Sequence, residues 1–204
     1  MIGAILATLG AFVINTISTM GYGGIVLLMG IESANIPLPS EVIMPFSGYL
    51  VSTGQFNLFW VAIMGGLGCL WGSLLSYWIG AKGGRPLIER YGKYILISKH
   101  DLDTADRWFA RWGITAVFVG RLLPVVRTFI SFPAGIARVN LWQFSIYTFI
   151  GSVIWSYFLG WVGYKMGENW DTLGEYFHKF DTVIGVLILL GIALYIYRHI
   201  KNSK

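Results

Sequence analysis

The sequence predicts an all-α polytopic membrane protein, an inverted repeat in which each copy is a re-entrant helical hairpin plus a transmembrane helix. Three observations lead there. Charge is scarce: 15 Lys and Arg and 10 Asp and Glu make up 12% of 204 residues, against about 25% in a soluble domain. Two apolar stretches are broken by prolines. Residues 57–84 can be laid on 140–167 without a gap. With 55% hydrophobic and 16% aromatic residues, the chain is neither a soluble globular domain nor a disordered one. A single cysteine, Cys69, excludes a disulfide scaffold and a Cys-built metal site. The net charge of +5 forms no groove-reading patch, so no nucleic-acid partner is expected.

The elements follow in order. Residues 1–19 carry no charge and form either a short first span or a helix in the outer interface. The stretch 22–54 is the first hairpin and 57–81 the first span. Residues 85–111 form a polar connector, in which Ser98-Lys99-His100-Asp101 opens an amphipathic helix as a capping box. The stretch 113–138 is the second hairpin, 140–164 the second span and 182–200 a C-terminal span. The two repeats then cover 22–84 and 112–167 of a single membrane domain. Lys82, Arg85, Arg90, Lys93, Lys99, Arg107 and Arg111 crowd into one polar segment, and Arg198, Lys201 and Lys204 close the chain. The positive-inside rule therefore puts 82–111 and the C-terminus in the cytoplasm. The loop 165–181, with Lys165 and Lys179 among four acids, belongs outside.

The hairpins are inferred from length. In Gly23–Gly54 the run Ile36-Pro37-Leu38-Pro39-Ser40 ends one helix and precedes the next, because proline lacks an N–H and restrains the residue before it. The arms on either side reach roughly 16 and 21 Å, short of a hydrocarbon core about 30 Å thick. Gly113–Arg138 repeats the pattern with Pro124 near its tip and Pro133 in its second arm. The ungapped match gives nine identities in 28 positions, among them Gly68/Gly151, Ser73/Ser156, Gly80/Gly163 and Lys82/Lys165, where composition alone gives roughly two or three. Each copy crosses an odd number of times, so the second copy is inverted, as in transporters with broken helices.

Four ionisable residues fall within the hairpins: Glu32 and Glu41 in the first, Arg121 and Arg127 in the second. Each costs at least about 2.5–3.5 kcal/mol at the bilayer centre, so together they are either a structural ion-pair network or a site. Arginine binds phosphate through a planar fork and stays charged. Arg121 and Arg127 flank Pro124, and a turn there lets both clamp one phosphate. Glu32 and Glu41 are then candidates for proton coupling or for ion pairing, Pro37, Pro39 and Pro124 for the hairpin turns, and Arg138 for an accessory role or for snorkelling. His100, His178 and His199 lie in polar segments. Gly65, Gly66, Gly68 and Gly72 form a small-residue packing face, and Cys69 reads as an inert mid-span residue. No metal or cofactor is expected. The hairpins hold no His or Cys, and so no obvious nucleophile–base pair for an intramembrane enzyme.

The residues Glu32…Pro37-Leu38-Pro39-Ser40-Glu41, the motif Gly120-Arg121-Leu122-Leu123-Pro124-Val125-Val126-Arg127 and the following Pro133-Ala134-Gly135, with Phe144, Gly151 and Trp155 downstream, resemble the DedA family of the VTT-domain superfamily over roughly residues 20–200. The resemblance implies opposed re-entrant hairpins, two acids (Glu32 and Glu41, the second often Asp in the family) and two arginines (Arg121 and Arg127) as functional residues. It implies a non-enzymatic flippase of the bacterial cytoplasmic membrane that carries a lipid phosphate, undecaprenyl phosphate above all, for carrier recycling, with protons as a coupling partner in some members. The alternatives are a flippase or scramblase of phosphatidylethanolamine and a proton-coupled small-ion transporter.

Overall fold

The computed structural model describes residues 2–36, 38–95, 109, 112–124 and 126–167, and all regular structure among them is helical. Residues 1–165 form one compact unit, and a second unit comprises 166–204. The amphipathic helix expected after Ser98 and the span expected at 182–200 lie outside the described residues.

Helix α1 (Ile2–Met20) is joined through Gly21 to α2 (Tyr22–Ser33). Gly21 has φ +59°, a backbone conformation natural to glycine, and separates the two helices. Gly24 of α2 lies so close to α1 that a Cβ would be 2.7 Å from the Thr16 carbonyl oxygen. After α2 come a bent segment and α3 (Ser40–Ser52). Pro39 is its N-cap residue, with extended backbone at φ −79° and ψ 110°. These two arms form a helical hairpin closed at its base: Tyr22 stacks on Phe56 with ring centroids 4.6 Å apart, and its hydroxyl accepts a hydrogen bond from the Asn57 N–H at 2.8 Å. The tip is pinned as well, since Asn35, in the left-handed region at φ 69°, accepts a 2.7 Å bond from the Ser76 hydroxyl.

Helix α4 (Leu58–Ile95) is 38 residues long. Its apolar part, Leu58–Gly83, is long and apolar enough to cross a membrane, and the helix runs on past Lys82 instead of ending at 81. The second broken stretch comprises α5 (112–121), a turn containing Pro124, the short α6 (Val126–Phe129) and α7 (Ser131–Ile136). Ala116 and Val117 of α5 share a core with Ile130, Ala134 of α7, Tyr77 of α4 and Phe144, so the two arms lie together against α4. Helix α8 (Leu141–Met166) is the second long apolar helix.

Glycines set how closely these helices meet, because only hydrogen stands between the backbones. A Cβ on Gly72 of α4 would overlap the Gly30 carbonyl oxygen of α2, and one on Gly68 would overlap that of Val26. On the α8 side, Gly151 lies against Arg121 and Phe118 of α5. The second arms pack in a matching way. A Cβ on Gly80 of α4 would overlap the Phe132 carbonyl oxygen of α7, and one on Gly163 of α8 would overlap that of Pro45 in α3. Gly65 and Gly66 of α4 face Ser156 and Val153 of α8. Outside this packed interior the bundle shows large apolar residues: Trp71 and Trp142 are 74% and 75% exposed, a surface suited to lipid rather than water.

A buried arginine cluster between the hairpins

Two arginines are the largest fully buried side chains among the described residues, each 1% exposed. A buried guanidinium must find acceptors or a counter-charge, and the fold supplies both. Arg121 ends α5, where the partial negative charge of the helix C-terminus favours a cation. It donates from Nη1 to the Arg127 carbonyl oxygen at 2.9 Å and from Nη2 to the hydroxyls of Ser73 and Ser131 at 2.6 and 2.5 Å. One side chain thereby ties α4, α6 and α7 together.

Arg127, on α6, faces the first hairpin. Its Nη2 donates to Glu32 Oε2 at 3.4 Å and to Cys69 Sγ at 3.1 Å. Glu32 stands in the last turn of α2, where the helix dipole disfavours an anion, so this acid depends on the cation opposite. The guanidinium carbon of Arg127 lies 5.5 Å from the ring centre of Trp155 on α8, within cation–π range. Two donors remain open: Arg121 Nε and Arg127 Nη1 are buried and have no hydrogen-bond partner.

The structure thus brings together three of the four charges singled out in the sequence. The fourth, Glu41, is half-buried in the first turn of α3, a favourable place for an acid, and accepts a long 3.4 Å hydrogen bond from Ser40. It lies within electrostatic reach of Arg127 and Glu32 without an ion-pair contact among the described residues. Arg138 is exposed, with φ 49° just past α7, and is not part of the cluster. Pro124 occupies the turn between the two arginines and Pro39 starts α3; Pro37 lies outside the described residues. Cys69, inert on the sequence reading, is a hydrogen-bond partner of Arg127. Ser73, Ser131 and Trp155 complete the surroundings. Ser73 could have been found from the repeat, where it is one of the identical pairs.

Such a bundle, with apolar helices of spanning length around a buried cluster of arginines and an acid, is an integral membrane protein. Residues 38–165 match the VTT domain, and the chain belongs to this family, the DedA proteins. Among its relatives, the uncharacterized membrane protein YkoX of Bacillus subtilis is 42% identical, covering 94% of this chain and 85% of its own. Undecaprenyl phosphate transporter A of the same organism is 37% identical over 90% of each chain. A protein of Lactococcus lactis subsp. cremoris named alkaline phosphatase-like is 30% identical over 94% of this chain and 95% of its own. No solved structure matches.

Proposed function

We propose that this protein is a flippase of the bacterial cytoplasmic membrane that moves undecaprenyl phosphate across the bilayer for carrier recycling, and that Arg127 and Arg121 hold the phosphate. The observation that carries this reading is the pair of open guanidinium donors, Arg127 Nη1 and Arg121 Nε, each buried with no protein acceptor. An anion with several acceptor oxygens is the complement such donors lack. The transporter named for this lipid among the relatives supports the choice of substrate.

The architecture belongs to the same reading. Both broken stretches are re-entrant hairpins of an inverted repeat, covering 22–84 and 112–167. Support comes from the crossed, matched packing: α2 on α4 at Gly68 and α5 on α8 at Gly151, α7 on α4 at Gly80 and α3 on α8 at Gly163. The segment 82–111 and the C-terminus are cytoplasmic, on the strength of their Lys and Arg content. Arg138, exposed at the foot of the second hairpin, is an accessory contact for an arriving headgroup.

Protons enter through Glu32 and Glu41. Glu32 competes with an anionic substrate for Arg127. When it takes up a proton it releases the guanidinium to phosphate, and when phosphate leaves, the carboxylate reclaims it. Proton uptake and phosphate binding are coupled in this scheme by a shared partner. The small-ion alternative fares worse, because a cation at Glu32 would have to displace Arg127 from 3.4 Å away.

The test is binding of undecaprenyl phosphate to the purified protein in nanodiscs. Arg127→Gln is expected to abolish it and Arg121→Gln to weaken it at least tenfold, the loss of a hydrogen bond to a charged group. Circular dichroism checks that the variants stay folded. Folded Arg127→Gln protein that binds like the parent would sink the assignment. Equal binding of phosphatidylethanolamine would move the substrate to that lipid.

A further inference from the structure

Helix α8 holds four more buried polar atoms with no hydrogen-bond partner: Thr148 Oγ1, Ser152 Oγ, Trp155 Nε1 and Ser156 Oγ. Thr148, Ser152 and Ser156 are at most 1% exposed. Hydroxyls inside helices usually donate to the carbonyl four residues back, as Thr16, Ser47 and Ser145 do here. The three on α8 do not. Thr148, Ser152 and Trp155 fall within roughly 60° of one another around the helix. Trp155 lies against the guanidinium group of Arg127, and Gly151 against the Cβ and Cγ of Arg121.

The repeat register sharpens the point. Laid 57–84 on 140–167, Cys69 corresponds to Ser152 and Ser73 to Ser156. On α4 these positions are occupied: Cys69 accepts from Arg127 and Ser73 from Arg121. On α8 the hydroxyls of Ser152 and Ser156 have no hydrogen-bond partner, and Ser156 packs against Gly65 of α4. Buried polar groups are seldom left this way, and these open donors, together with Arg121 Nε and Arg127 Nη1, are suited to an acceptor-rich ligand.

Resting on the lipid-phosphate reading above, we propose that Ser152 and Trp155, flanked by Thr148 and Ser156, form the second wall of the phosphate site and select a terminal phosphomonoester over a phosphodiester. All six groups can donate. A monoester phosphate offers three terminal oxygens, each able to accept about two hydrogen bonds, whereas a diester offers two such oxygens. A phosphodiester headgroup would leave part of this wall unsatisfied, and a buried donor without a partner weighs against binding.

The experiment compares undecaprenyl phosphate with phosphatidylglycerol, a diester, on the full-length protein in nanodiscs. The variants are Ser152→Ala, Trp155→Phe and Arg127→Gln. Ser152→Ala removes a hydroxyl that has no partner in the free protein, so its melting temperature should equal or exceed the parent's while monoester affinity falls about tenfold, the worth of one hydrogen bond to a charged group. Trp155→Phe keeps the ring over Arg127 and loses the N–H, with a similar drop. Phosphatidylglycerol, weaker than the monoester on the parent, should change less than about twofold. If both variants bind the monoester as the parent does while Arg127→Gln fails to, the second wall is refuted and the lipid-phosphate reading stands. A parent that binds the two lipids equally refutes the selectivity. A parent that binds neither overturns both proposals.

Discussion

The contact between Glu32 and Arg127 can be probed so that its structural role separates from its part in binding. The two side chains are 4% and 1% exposed and 3.4 Å apart. At an effective dielectric of about 20, opposite charges at that distance attract by about 5 kcal/mol. Removing one partner leaves the other buried and uncompensated, which costs about 3–5 kcal/mol. Glu32→Gln and Arg127→Gln should therefore each be destabilised by at least about 3 kcal/mol, or roughly 6–12 °C in melting temperature for a chain of this size. The double variant removes both charges together, and its melting temperature should lie above that of either single variant, a coupling of several kcal/mol in a double-mutant cycle. Differential scanning fluorimetry in one detergent supplies the three shifts, and undecaprenyl phosphate binding is measured on the same samples. The double variant is expected to be folded and unable to bind. Additive shifts would mean that the pair is not coupled, and a double variant that binds normally would remove Arg127 from the phosphate site.

Two further substitutions test the packing and the anchoring of the cluster. Gly72→Ala places a methyl group in the Gly30 carbonyl of α2, a backbone clash that no rotamer relieves; separation of the first hairpin from α4 should show as loss of monodisperse protein in size-exclusion chromatography, and wild-type behaviour would contradict the interhelical distance. Ser73→Ala takes one of two acceptors from Arg121 Nη2 while Ser131 remains, so about 1–2 kcal/mol should be lost, with a larger-than-additive loss in Ser73→Ala/Ser131→Ala, read from melting temperatures.

Helix content, the two breaks and the charges set within apolar sequence are legible in the sequence for physical reasons. A bilayer admits few charges, so Glu32, Glu41, Arg121 and Arg127 stood out against apolar runs, and prolines leave a visible mark wherever a helix must stop. What the pattern hides is direction and partnership. The continuation of α4 to Ile95 is not legible, because the charge at Lys82 marks the end of the apolar span, and polarity ends the membrane and not the helix. The role of Cys69 is hidden because a buried thiol ordinarily packs as a small hydrophobe. Its hydrogen bond to Arg127 depends on a side chain 58 positions away.

The division of labour between the arginines was equally hidden, since spacing places both near Pro124 without distinguishing them. In the structure Arg121 spends its two terminal nitrogens on Ser73, Ser131 and the Arg127 backbone, and Arg127 keeps a whole terminal nitrogen free. Arg121 thus fixes the position of the very peptide that carries Arg127. On the proposed function, a phosphate at Arg127 would be held by an element already braced by a second cation, so little would need to be reordered on binding. The same bracing explains why the cost of burying two like charges is tolerated: Glu32 balances one, three oxygens solvate the other, and the donors left over are the ones a ligand can use.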